Sequence, residues 1–154
     1  MWASALRPER ERERVAVFSP LAEARFALGL ETIYEGYLLH FGRPRLFAPE
    51  SRDTSVLLGD YLYAHGLVRI SELEEASVVA DLAELLSLCA HLRASRRPGD
   101  GAAWASAVAT LGGWQRAAGR AGGARAWRQL AERSAGRAPV ARALALHAGR
   151  ISPR

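Results

Sequence analysis

The stretch Asp53-Thr-Ser-Val-Leu-Leu-Gly-Asp-Tyr-Leu-Tyr-Ala-His-Gly-Leu67 decides how the rest of the chain is read. Its apolar residues recur at helical rather than strand spacing, yet Gly59 and Asp60 stand in the middle of it. A glycine inside a helix costs roughly 0.8–1.0 kcal/mol relative to alanine, and an aspartate in an apolar run must be solvated or paired. Such a pair fits a helix whose missing Cβ lets a second helix come close. The stretch therefore predicts a helix capped by Asp53, running to about Arg69 with Gly66 near its end.

Upstream, Ser19 followed by Pro20 reads as a helix start. Phe26, Leu30, Ile33, Tyr37 and Phe41 then recur at steps of 4, 3, 4 and 4, and Gly29 and Gly36 lie on one side of that helix. Residues 42–52 carry two prolines and no periodicity, so a loop is expected. Downstream, Ser71 and Glu74 have the spacing of a capping box, followed by Leu73, Ala76, Ala80, Ala83, Leu86 and Ala90 as the apolar face of a helix to about Ser95. Residues 96–101, Arg-Arg-Pro-Gly-Asp-Gly, break the pattern. Beyond them, helices are expected at about 102–120, 124–134 and 139–149, around a core of Trp104, Trp114 and Trp127. No alternating β-branched segment occurs. The expected fold is all-α, a single-domain bundle of about five to six helices, with residues 1–18 as a charged lead-in, 19–95 as its main body, 96–101 as a linker and 102–154 as an Ala/Arg/Trp-rich C-terminal part.

Apolar residues at 49% and charged residues at 24% are the composition of a globular protein rather than a disordered or membrane one. Met-Trp-Ala-Ser-Ala-Leu-Arg is too short for a secretory signal and no apolar run is long enough to span a bilayer, so a cytoplasmic location is expected. The single Cys89 sits in an apolar helical run and reads as a core residue. The net charge of +5 hides a division: residues 1–109 hold 12 Arg against 15 acidic residues, whereas residues 110–154 hold 9 Arg against Glu132 alone. Arg7-Pro-Glu-Arg-Glu-Arg-Glu-Arg14 alternates in sign with no apolar face and reads as solvated.

Val56-Leu-Leu-Gly-Asp-Tyr-Leu62 with Ala64 resembles the Gly-Asp-(aromatic)-Leu-x-Ala helix of trans-isoprenyl diphosphate synthases. The resemblance covers about residues 25–95, with Tyr34–His40 as the end of the preceding helix and Arg43-Pro44-Arg45 as a shortened basic loop. It implies that Gly59, Asp60, Tyr61 and Tyr63 lie at a close helix packing or subunit interface. It also marks Arg43 and Arg45 as a candidate anion-binding pair.

The departures bear on chemistry. Members of that family ionise an allylic diphosphate on a Mg²⁺ cluster held by two Asp-rich motifs, and hard cations need clustered carboxylates. No Asp-Asp pair exists here: Phe41-Gly42 follows His40 where the first motif is due, and Glu132 is the sole carboxylate after Asp100. The four histidines lack metal-ligand spacing, and no nucleophile elbow or phosphate-binding loop is present. No catalytic residue, metal ligand or cofactor is assigned.

The resemblance then implies a non-catalytic subunit that pairs with a catalytic prenyl synthase or forms a homodimer. The alternative reading is a helical interaction module whose Arg116, Arg120, Arg125, Arg128, Arg133, Arg137 and Arg142 meet nucleic acid or an acidic protein. Nucleic acid is not the expected partner, because no groove-reading motif accompanies these arginines.

Overall fold

The computed structural model describes residues 2–151. Its helices are α1 (Trp2–Ala5), α2 (Ala27–Phe41), α3 (Arg52–Ser71), α4 (Ala76–Ala94), α5 (Asp100–Ala109), α6 (Trp114–Ala117), α7 (Ala124–Ala135) and α8 (Arg137–Ala148). The fold is all-α, with no strand among the described residues beyond two isolated bridges, Leu6 with Phe47 and Gly42 with Ile151. Among these residues, no helix is long and apolar enough to cross a membrane.

Several boundaries move, each for a local reason. Ser19 and Pro20 form a 3₁₀ turn, and α2 begins only at Ala27. The Ser19 N–H donates to Glu31 at 3.1 Å, which holds the turn against the side of α2 instead of continuing its axis. The cap of α3 is Ser51, not Asp53: extended at φ −135°, its hydroxyl accepts from the Thr54 N–H at 3.1 Å, and Asp53 falls in the first turn. Ser71 belongs to the end of α3, where its hydroxyl donates to the Val68 carbonyl at 2.6 Å. The capping box with Glu74 therefore does not form.

The buried face of α4 is also a different one. Val78, Leu82, Leu85, Leu88, Cys89 and Leu92 are inside, while Ala76, Ala80, Ala83 and Ala90 are exposed and Leu86 is half-buried. Both sets repeat at helical spacing. The larger leucine and valine side chains remove more apolar area from water, so they take the core.

The expected long helix at 102–120 ends at Ala109. Asp81 of α4, buried to 2% exposure, accepts from the N–H groups of Gly112, Trp114 and Gln115, and α6 starts on that carboxylate. Gly112 adopts φ +90° to reach it, a left-handed conformation that favours glycine. Trp104, Trp114 and Trp127 are buried as expected. One apolar core runs from Val17 to Ala143 across the 96–101 break, with Phe18 stacked 5.5 Å from Trp104.

The charged lead-in lies against the body. The Arg7 N–H donates to the Leu46 carbonyl and the Glu13 N–H to the Arg45 carbonyl. Before it, Ala5 joins Leu39, Leu58 and Leu62 in a second small core that Trp2 and Phe47 flank.

Candidate functional site

Helices α2 and α3 pack closely along their length, and glycine makes it possible. A Cβ on Gly36 would stand 2.8 Å from the Gly59 carbonyl, and one on Gly59 would stand 3.1 Å from the Gly36 carbonyl and 2.7 Å from His40 Nε2. Half a helix away, Gly29 faces Gly66 and Ile70, and Gly66 faces Ile33. Four glycines, two per helix, thus bring the helices together: a Cβ on Gly36 would run into the Gly59 carbonyl, and one on Gly29, Gly59 or Gly66 into the side chain of Ile70, His40 or Ile33.

The remaining residues of the Gly-Asp string divide between two faces. Tyr63 turns inward and stacks on His40, with ring centroids 5.1 Å apart, and burial pushes its hydroxyl well above the usual tyrosine range. Asp60 is exposed; its Oδ1 lies 3.0 Å from His40 Nε2, a contact that becomes an ion pair only when the imidazole is protonated. Burial lowers the His40 pKa, and Asp60 offsets only part of that effect. Tyr61 turns outward, stacked between Trp2 at 5.3 Å and His65 at 5.7 Å.

That outward face of α3 is apolar. Leu57, Tyr61 and Val68 are 57%, 45% and 55% exposed, spaced on one stripe of the helix. A helix with glycine and leucine inside and a second apolar stripe outside has more apolar surface than its own fold covers.

The proposed arginine pair is not a pair. Arg45 is 4% exposed; its Nε donates to Glu35 at 3.0 Å and its Nη1 to Glu31 at 2.6 Å and to the Val15 carbonyl at 2.8 Å. Burial opposes its charge, but the two carboxylates outweigh that and raise its pKa. Arg45 is thus an internal tie between the lead-in, α2 and the loop, closed to an external anion. Arg43 is exposed and donates to the Gly149 carbonyl at 3.0 Å, anchoring the C-terminal end.

A polar cluster that no motif announced lies at the centre. Tyr37 donates to Asp100 at 2.7 Å, His147 Nε2 lies 3.3 Å from the same carboxylate oxygen, and His147 Nδ1 meets the Tyr34 hydroxyl at 2.8 Å. Burial alone raises the Asp100 carboxyl, yet the His147 and Tyr37 contacts overcome it and hold the group well below the usual range. Burial pushes the Tyr34 and Tyr37 hydroxyls up, and the Cys89 thiol beside them. The arrangement resembles a proton relay in its residue types, but its members are at most 6% exposed. Its polar groups satisfy one another within the core, as in a buried structural network.

The buried carboxylates are all engaged in this way: Glu35 by Arg45, Asp81 by the start of α6, Asp100 by Tyr37 and His147. No group of three metal-ligating side chains converges among the described residues. In the C-terminal part, Arg120 pairs with Glu84 at 2.6 Å and Arg128 with Glu132 at 2.9 Å. Arg125, Arg133, Arg137 and Arg142 are exposed, without a carboxylate partner among the described residues. Compared with family models, curated proteins and solved structures, the chain matches none.

Proposed function

We propose that this chain is a non-catalytic helical subunit of the isoprenyl diphosphate synthase type, which pairs with a catalytic prenyl synthase or with a second copy of itself. The observation that carries the reading is α3: its inner face is locked to α2 through glycines while Leu57, Tyr61 and Val68 stand in solvent on the outer one. Core-facing and outer apolar stripes on one helix fit a helix that also belongs to an interface. The lack of an Asp-Asp pair in the sequence argues for a partner to the chemistry rather than its agent.

Sedimentation velocity, on the chain alone and mixed with a full-length prenyl synthase of the same organism, tests this. The expected result is a dimer or a mixed complex that Leu57→Asp combined with Val68→Asp abolishes, with helicity unchanged. The chain alone forms no product from allylic and isopentenyl diphosphates with Mg²⁺. A monomer under both conditions sinks the reading.

A second reading rests on the unpartnered Arg125, Arg133, Arg137 and Arg142. They fit an acidic protein surface. Fluorescence anisotropy with duplex DNA and single-stranded RNA at roughly 50 and 200 mM salt, where phosphate contacts weaken steeply, excludes or establishes nucleic acid in their place.

A further inference from the structure

A cleft of about 440 Å³ opens between α2 and α3 on the side of the lead-in. Its walls are apolar, from Ala16, Leu28, Leu46, Phe47 and Leu62. Leu28 at the rim is 61% exposed, so water meets an apolar surface there at present. The volume lies within the roughly 300–1,000 Å³ of small-molecule sites.

The charges around the cleft show what kind of molecule fits. At its base, Arg45 is held by Glu31 and Glu35, and the surplus negative charge is spread over four backbone N–H donors, those of Val17, Ser19, Arg45 and Leu46. At the mouth, Glu13 is bound by Arg150 and Arg14 by Glu9. Arg69 differs. It is exposed, its Nε donates to His65 Nε2 at 3.2 Å, and its terminal nitrogens face no carboxylate among the described residues.

We propose that this cleft binds a small amphiphile with an apolar chain and one carboxylate, the chain against Leu28, Phe47 and Leu62 and the carboxylate on Arg69. A single free guanidinium matches a monoanion, for which the planar fork is suited. A multiply charged head group would need further cations, and the other two arginines at the cleft are already paired. This site does not depend on the pairing reading, because none of Leu57, Tyr61 and Val68 lines the cleft.

Isothermal titration of the full chain with decanoate, below its micellar concentration, tests the proposal. Decanol serves as the uncharged control, and amide chemical shifts map the site. The expected result is saturable one-to-one binding with shifts at Leu28, Phe47 and Leu62, weakened about tenfold or more in Arg69→Gln, the scale of one charge-assisted hydrogen bond. Leu28→Glu, at an exposed position, removes binding without unfolding the protein. No saturable binding, equal affinity in Arg69→Gln, equal affinity for decanol, or shifts confined to another surface would each overturn it.

Discussion

Gly59 shows how far a single residue could be read. The sequence carried a locally unfavourable glycine and so implied a close neighbour; which neighbour, and at what distance, came only from the crossing with Gly36. Gly59→Leu gains about 0.8 kcal/mol in helix propensity but must displace His40 and meets the Gly36 carbonyl, so a net loss of about 1–3 kcal/mol is expected. A melting temperature that rises instead refutes the close crossing. Arg45 is internal rather than anion-binding for a reason that local sequence does not carry: a surface arginine and a buried one look alike until the carboxylates that face them are placed. Arg45→Met leaves Glu31 and Glu35 without their cation, and a loss of about 3–5 kcal/mol is expected in denaturant titration. A loss below about 1 kcal/mol would show an ion pair of the surface kind.

At the level of the helix, periodicity located α2, α3 and α4 but not their ends, and for α4 not its face. Alanine and leucine both satisfy a helical repeat, so Ala76, Ala80, Ala83 and Ala90 could stand for the core until the volume to be filled between helices was known. The start of α3 gives a direct test of capping. Ser51→Ala removes the acceptor for the Thr54 N–H and costs about 1 kcal/mol, while Asp53→Ala, altering only a first-turn charge, costs about 0.3–1 kcal/mol at low salt and less at high salt. Chemical denaturation at two ionic strengths separates them. A larger loss for Asp53→Ala, insensitive to salt, would return the cap to Asp53.

For the molecule as a whole, buried ionisable groups set the response to pH. His40 has a folded pKa lowered by burial, so below its unfolded value of about 6.5 the unfolded chain takes up a proton that the native state resists. Unfolding then binds protons and stability falls as pH drops through that range. Asp100 acts lower. Its folded pKa is depressed, so the stability it contributes is full above about pH 4 and is lost as pH falls toward the folded value. The urea midpoint should therefore decline between pH 7 and 5 and again below pH 4. His40→Gln should flatten the first decline and leave the second. A midpoint independent of pH from 7 to 5 in the parent protein contradicts the lowered pKa of the half-buried His40.

The amino-acid sequence by itself determined the all-α class, the glycine-marked central helix, the tryptophan core of the C-terminal part and the separation of charge between the two halves. Each of these follows from local pattern or composition, which a chain carries whether or not it is folded. Only the tertiary structure decided that Arg45 is internal, that Asp81 ends one helix and begins another, and that Tyr34, Tyr37, Asp100 and His147 meet at the centre. These depend on residues up to 113 positions apart, as between Tyr34 and His147. Hydrogen bonds across such separations leave no periodic trace, because neither partner's neighbours in sequence need to change for the contact to form. The apolar cleft beside Arg69 belongs with them: its walls come from the lead-in, α2, the loop and α3, and no one of those segments contains it.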